Sequence, residues 1–545
     1  RPRRRSKWAS GDMIMRRPEI PQAAAPRFTP TSAGRIDRSR QKLRRSRLRA
    51  LSIHTRSCSV CAMTSIMLMT AIAAMLTEPC RSAPGVDAAA LLKRAAERTG
   101  LPRTDATVLI TTAFDLKSHQ FESDRMYPPA LTEVAALDHW FDPATGVERV
   151  RQLTTIGGYE FGFESIGDAR ASYLVADTTL TPSEETHGGM YETRPLNVWA
   201  MLEDWLAATD VRVEGQCVYR DYPRIVLTRR GARGPERLYL DPKSGYPTKL
   251  DRIEPHYLWG QRHVEYVYST WQRVGMAHLP GGTFRLDDGL TTITRTFGKT
   301  RLAPRDSAPS LKVPARTEAM AFTLPVFLRP TPPDTVRVSS STFLLRNRGY
   351  TEAVTLQRDT VFVFDATQGD ERVKEDSTWI ATLFPGRHPI VVVVTDLAWP
   401  HVAGVRAWVA HGATIASHRA AQSFLSEVVN RRWTLSPDLL EQRRATARLR
   451  FRAVDDSLTL AGGAIKVFPI DGAASEVALI AFVRPDRFLW ASDFIQNVSA
   501  PTQYLDEVSA AVTRAGVKPL MVAAEHAPLI AWERLVPLAE RPFTP

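Results

Sequence analysis

Two kinds of hydrophobic patterning divide the chain near residue 300. Over residues 87–302 most apolar positions alternate with polar ones in short stretches bounded by Gly, Pro, Asp and Asn, which predicts antiparallel strands. Two segments follow helical spacing instead. Residues 87–99 form an Ala- and Leu-rich stretch between a capping Asp87 and Gly100, and residues 195–208 repeat Leu and Trp along one face. We therefore predict an antiparallel β-rich domain with two helices over 87–302.

The second pattern is that of buried strands alternating with helices. Residues 390–395 (IVVVVT) form a continuous β-branched run, which is typical of a strand covered on both faces. A helix-like segment at 405–411, a short strand at 414–417 and an amphipathic helix at 419–429 follow in that order. This order predicts a layered domain of helices and sheets over 337–545.

A proline-rich stretch separates the two patterns. Seven prolines lie among the thirty residues 304–333. Because proline can continue neither a helix nor a central strand, we predict an extended linker over 303–336.

The positive charge of the chain is concentrated at one end. The net charge is +13, yet residues 1–60 alone hold 17 Lys and Arg against 3 Asp and Glu. The other 485 residues are therefore close to neutral, and we expect no nucleic-acid partner for the folded part. Residues 1–60 are predicted to be a basic, disordered leader.

An apolar segment follows the leader. Residues 66–76 (IMLMTAIAAML) are too short for a membrane span but have the length of a signal-peptide core. We interpret 61–86 as a signal-peptide-like segment and expect a periplasmic or secreted protein without a stable transmembrane span; a disordered tail with an apolar patch is the alternative. Since only Cys217 lies beyond this region, no intramolecular disulfide is expected in the body of the protein.

The β-rich region resembles a known family. The hairpin at 238–250 with its D-P-K-S-G turn, the alternating strand at 263–271 and the V-G…L-P segment at 274–280 resemble the half-barrels of periplasmic lipoprotein carriers. The resemblance implies a curved sheet around a helix, with a concave face for acyl chains. It makes a lipid or lipoprotein ligand possible for this domain; partners are otherwise unknown.

The C-terminal region resembles the metallo-β-lactamase superfamily. The stretch VVVVTDLAWPHVAGVRAWVAHGATIASH is similar to the family's metal loop, where the strand ends in T-H-x-H-x-D-H-x-x-G. Residues 478–493 resemble the hairpin ending in the metal-bridging Asp, and 521–526 resemble the strand that presents the last His. The resemblance implies an αββα sandwich over 337–545, preceded by the antiparallel half-barrel-like domain.

The family's metal ligands are only partly present. Of seven positions the resemblance keeps three, namely His401, Asp493 and His526. The four degenerate positions are Asp396, Ala398, Pro400 and Ala474. The retained residues could form a two-His, one-carboxylate site for a single zinc ion. No residue is assigned a catalytic role.

Two functions remain open. The first is a metallo-β-lactamase-fold protein of the cell envelope with a degenerate site, non-catalytic or weakly active, holding no cofactor or one zinc ion. The alternative is a single-metal zinc hydrolase of unknown substrate. Each retained residue also has a structural interpretation: His401 as a helix cap, Asp493 as a loop carboxylate that accepts backbone N–H groups, and His526 as a partly buried histidine.

Overall fold

A computed structural model gives the structure of the chain. The residues that it describes are 80–81, 85–101, 107–118, 132–156, 159–169, 171–176, 179–182, 193–231, 234–275, 277–314, 334–347, 350–471, 477–502 and 504–541. The predicted leader and the apolar segment at 66–76 lie outside them, as does most of the predicted linker. No helix among the described residues has the length and apolar character needed to cross a bilayer.

The first domain is built on one antiparallel sheet. Its strands are β1 Thr107–Ser118, β2 Thr132–Asp142, β3 Val147–Ile156, β4 Tyr159–Gly167, β5 Ser172–Ala176, β6 Thr179–Pro182, β7 Arg212–Tyr219, β8 Tyr222–Arg230, β9 Pro235–Leu240, β10 Pro247–His256, β11 Gly260–Val274, β12 Ala277–Asp287 and β13 Leu290–Pro304. In the described part of the chain their order is β6-β5-β4-β3-β2-β1-β13-β12-β11-β10-β9-β8-β7. The predicted antiparallel sheet is confirmed, whereas its half-barrel shape and the bounds of the domain remain predictions.

Two helices cover one face of this sheet, as the spacing predicts. Helix α1 (Ala88–Thr99) begins at Asp87, whose carboxylate accepts hydrogen bonds from two backbone N–H groups, and ends at Gly100 with φ of 68°. Helix α2 (Val198–Leu206) buries its tryptophans against the sheet. A cavity of about 10 Å³ beside α2 has room for about one water molecule, so an acyl chain does not fit there.

The expectation that the body lacks a disulfide is wrong. Cys80 forms a disulfide with Cys217 in β7, and Arg81 pairs with Gln216 next to it. Cys80 falls within the signal-peptide-like segment 61–86, and treating that segment as removable left Cys217 without a partner. The folded domain therefore includes residues upstream of position 87.

The C-terminal domain contains two sheets. The first has strands β14 Asp334–Arg337, β15 Thr342–Asn347, β16 Tyr350–Gln357, β17 Thr360–Phe364, β18 Ile390–Val393, β19 Thr414–His418 and β20 Arg450–Val454. The second has strands β21 Leu458–Leu460, β22 Ile465–Pro469, β23 Leu479–Val483, β24 Phe488–Trp490, β25 Met521–Ala523 and β26 Ile530–Ala531. In both sheets the strands follow chain order, and β17 to β20 run parallel.

Helices cover the outer faces of both sheets. They are α3 Asp370–Leu383, α4 Trp399–Val402, α5 Val405–Ala410, α6 Gln422–Asn430, α7 Leu439–Gln442, α8 Leu505–Arg514 and α9 Val536–Ala539. One apolar cluster joins the inner faces of the sheets, a second joins the first sheet to α3, α5 and α6, and a third joins the second sheet to α8. The layers are therefore helix, sheet, sheet, helix.

The turn between β10 and β11 links the two domains. Its residues Tyr257, Leu258 and Trp259 are buried within the apolar cluster of the C-terminal domain. Arg431 holds the turn from the other side, because its Nε donates to the carbonyl oxygen of Trp259 at 3.3 Å and its guanidinium pairs with Asp288. The first domain thus contributes part of the second domain's core.

Candidate metal centre

His401 lies at the edge where strand β18 ends. After Val393 the chain continues through Thr395 and Asp396 into the short helix α4, which contains His401. The imidazole is 2% exposed, so it sits inside the domain and does not face solvent. The backbone carbonyl of His401 accepts from the N–H of Ala366 at 3.0 Å, which joins this loop to the end of β17.

Asp396 fixes the orientation of His401. Its carboxylate oxygens lie 2.8 and 3.0 Å from Nδ1 of His401. Asp396 itself accepts hydrogen bonds from the backbone N–H of Ala398 at 2.8 Å and from Ser492 Oγ at 3.0 Å. Because Nδ1 donates to this anchored carboxylate, the other ring nitrogen, Nε2, is presented to the opposite side. Carboxylates support metal-binding histidines in this way.

Two adjacent residues after strand β25, Glu525 and His526, lie on the Nε2 side of the His401 ring. Glu525 is fully buried, and its Oε2 lies 2.7 Å from Nε2 of His401. His526 is 29% exposed in its side chain. Both lie in the bend after β25, and the N–H of Glu525 donates to the carbonyl of Ser492 at 2.9 Å. A bend allows neighbouring side chains to face one site, whereas successive strand side chains point to opposite faces.

Asp493 approaches from the end of β24. Its Oδ1 lies 3.1 Å from Nε2 of His526, and Gln496 also donates to Oδ1. The preceding residue, Ser492, has φ of 50°, a conformation that residues other than glycine rarely adopt. Hydrogen bonds with Thr395 and Asp396 hold Ser492 in this turn. Strain held in place by neighbouring residues is common at functional sites.

The four side chains form one cluster. His401, Asp493, Glu525 and His526 each place one potential ligand atom so that all four atoms lie within 4.8 Å of one another. Four zinc ligands in a tetrahedron at 2.0–2.1 Å from the metal lie roughly 3.3 Å apart. Small side-chain rotations would therefore bring this set to coordination distances.

Burial and neighbouring charges dominate the electrostatics of the cluster. Burial opposes protonation of His401, but the carboxylates of Asp396, Glu525 and Asp493 outweigh it and raise the pKa of His401 well above its usual value. Burial raises the pKa of Glu525 to about 7, against the lowering effect of His401. Three carboxylates around one imidazole thus create a site in which added positive charge is favourable.

The donor set fits a divalent cation. Two imidazoles and two carboxylates are ligands that zinc accepts. Glu525 Oε1 is buried and has no hydrogen-bond partner among the described residues, and a bound cation would supply one. The residues present therefore fit one metal ion.

The positions named from the sequence have different outcomes. The structure brings His401, Asp493 and His526 together, as the family resemblance implied. Asp396 supports His401, Ala398 precedes helix α4, and Pro400 lies within α4. Ala474 lies outside the described residues.

His401 lies inside α4 and does not act as its N-terminal cap, which is Ala398. Glu525 was missed, although an acidic residue directly before the motif histidine was visible in MVAAEH.

Comparison with known proteins finds likeness only among solved structures. No family model matches the chain, and no curated protein matches it. The DIM-1 metallo-beta-lactamase is 14% identical, with 39% of this chain and 99% of that chain covered and a TM-score of 0.30. The FIM-1 metallo-beta-lactamase from Pseudomonas aeruginosa in the mono-zinc form is 12% identical, with 39% and 96% covered and a TM-score of 0.30. A metallo-beta-lactamase from Erythrobacter litoralis is 14% identical, with 39% and 98% covered and a TM-score of 0.31.

Likeness at this level of identity says nothing about activity or ligands. The C-terminal domain has the order helix, sheet, sheet and helix, and the predicted αββα layering is confirmed.

Proposed function

We propose that the C-terminal domain binds one zinc ion through His401, Asp493, Glu525 and His526, within a cell-envelope protein that acts by binding and not by efficient catalysis. The observation that supports this most is the Glu525 carboxylate, buried between the two histidines with one oxygen lacking any described hydrogen-bond partner. A bound cation would offset the burial of this charge.

Glu525 compensates for a ligand that the metal loop has lost. The family resemblance places a carboxylate at position 400, where this chain has proline, which offers no side-chain donor. Glu525 supplies a carboxylate to the same histidine from the other side of the cluster, at 2.7 Å from Nε2. The single-metal site is therefore rebuilt with a different fourth ligand.

Four protein ligands favour a binding role over hydrolysis. Structural zinc sites are closed by four protein donors, whereas catalytic sites keep one position for water, whose pKa the metal lowers. The four donors here would fill a tetrahedral shell. Asp396 would act as a positioning residue for His401 and not as a ligand.

Titration of the metal-free full chain with zinc tests the site. We expect one equivalent to bind and to raise the melting temperature, and we expect the Glu525→Gln variant to bind more weakly. His418→Ala is the matched control, because His418 caps a short turn on another strand and lies outside the cluster. Absence of binding by the unaltered chain would refute the zinc site.

The cell-envelope location has separate support. The Cys80–Cys217 disulfide closes a long loop of the chain, and such bonds persist in oxidising compartments. Signal-peptide cleavage that retains this disulfide must occur before Cys80. We expect N-terminal sequencing from the native host to find a start between residues 73 and 80; an intact arginine-rich leader would contradict export.

A weak zinc hydrolase is the second candidate. Asp493 and His526 are 27% and 29% exposed in their side chains, so an external molecule can reach one side of the cluster. A panel of β-lactam, ester and phosphodiester substrates, assayed with zinc, distinguishes the two. We expect no turnover above that of His401→Ala; zinc-dependent turnover lost in that variant would favour the hydrolase.

A further inference from the structure

A second candidate site lies on the helix side of the first C-terminal sheet. A cavity of about 360 Å³ opens at the edge strand β20, between helix α6 and the turn after α7. This volume is within the range of small-molecule binding sites. None of its lining residues belongs to the metal cluster, so a ligand in this cavity would bind independently of the proposed zinc ion.

Two arginines in the cavity wall are held in fixed positions. Arg444 donates from Nε and Nη2 to Glu441, and its Nη2 also donates to the carbonyl of Arg431 at 2.7 Å. Arg448 donates to three backbone carbonyls of the same turn. A guanidinium carries five N–H donors, so each side chain keeps at least one donor beyond these bonds. Their orientation is set before any ligand arrives.

The positive charge here is only partly neutralised. Glu441 is shared between Arg432 and Arg444. Among the ion pairs of the described residues, Arg448 has no acidic partner. The cavity wall therefore carries an excess of positive charge, which favours an anion.

The lining of the cavity also includes apolar side chains, two of them nearly covered. Leu440 is 2% exposed and Val429 is 7% exposed, and the half-buried Phe451 of β20 packs beside them. Ser426 and Asn430 of α6 contribute polar groups at the rim. An inorganic anion would use only the arginines, whereas an anion with an apolar part would also contact the apolar side chains.

We propose that this cavity binds a small amphipathic organic anion, with a carboxylate placed on Arg444 and Arg448 and an aliphatic chain against Leu440 and Phe451. The fixed guanidiniums reduce the entropy lost on binding, and burial of the chain adds a hydrophobic contribution. The half-buried ring of Phe451 is the apolar surface that the chain would cover, whereas a purely ionic ligand of the same charge would contact only the arginines.

Calorimetric titration of the full chain with octanoate tests the site, with acetate as the probe of the same head group and charge that lacks the aliphatic chain. We expect one equivalent of octanoate to bind, roughly fivefold more tightly than acetate. The double variant Arg444→Gln/Arg448→Gln should lose this binding. The matched control Arg450→Gln/Arg452→Gln removes two exposed arginines of β20 that do not line the cavity, and it should bind as the unaltered chain does.

A third variant distinguishes loss of the binding site from misfolding of the chain. Ser426→Phe fills the cavity from the surface of α6 and removes one hydrogen bond, from Ser426 Oγ to the carbonyl of Gln422. It should abolish octanoate binding while leaving the circular dichroism spectrum unchanged. The site is refuted if octanoate does not bind, if acetate binds equally well, if both double variants lose binding alike, or if Ser426→Phe still binds.

Discussion

Two buried charged clusters of the C-terminal domain differ in the cation that they contain. Arg372 of α3 is fully buried and donates to both carboxylate oxygens of Asp376. Around His401, by contrast, the carboxylates have only histidines as cationic partners, and His401 lies 2.7 Å from Glu525. Each cluster contains a buried carboxylate oxygen without a described hydrogen-bond partner, Glu352 Oε2 near Arg372 and Glu525 Oε1 near His401. The clusters therefore differ in the presence of a permanently charged side chain, and not in how completely their carboxylates are paired.

The two clusters also differ in their access to solvent. The Arg372 cluster holds α3 against strand β15 and offers no route for a ligand, because both partners of its ion pair are 0% exposed. In the His401 cluster, the exposed side chains of Asp493 and His526 lie next to buried ones. Because one side of the cluster is exposed to solvent and the other is buried, an ion can enter from solvent and then be enclosed.

The largest expected effect is on stability and comes from the Arg372 cluster. Arg372→Ala leaves Asp376 buried without its cation, which typically costs about 3–5 kcal/mol of unfolding free energy. Urea unfolding measures this loss, and we expect it to be unaffected by zinc. The control is Arg419→Ala, which breaks a solvent-exposed pair with Asp455 and should leave the unfolding curve unchanged. Equal stability of the two variants would remove the distinction between the clusters.

The next effect is specific to the His401 cluster. Zinc at about one hundred times its dissociation constant should stabilise the chain by roughly 2.7 kcal/mol. His526→Ala should abolish this gain while changing the stability of the metal-free chain little, because His526 is partly exposed. Thermal unfolding with and without zinc measures both quantities. His411→Ala, outside the cluster, should retain the full gain.

The smallest effect concerns the residue that positions His401. Asp396→Asn keeps the size of the side chain but removes the charge that holds Nδ1, and loss of such support typically weakens metal binding by roughly 10- to 100-fold. Competition with a chromogenic chelator measures the affinity. If Asp396 were itself a ligand, the number of bound zinc ions would also fall; we expect one ion throughout.

Sequence patterns predicted the architecture better than the details of the site. The β-branched run in β18 and the alternating strands of the first domain have periodicities that burial imposes, so their structures follow from the sequence. The convergence of His401, Asp493 and His526 could be predicted because a family motif supplied their spacing. The spacing of the motif gives no indication of Glu525, because only the bend after β25 turns this side chain towards His401. The disulfide was missed because Cys80 had been assigned to a removable segment.

Anomalous diffraction at the zinc absorption edge, from crystals of the full chain grown with zinc, would locate the ion itself. We predict one strong peak enclosed by Nε2 of His401 and by donor atoms of Asp493, Glu525 and His526, at about 2.0–2.2 Å from each. A peak on the Asp396 side of His401, a peak elsewhere on the chain, or no peak while His401 remains 2.7 Å from Glu525 would show that these four residues do not form a zinc site.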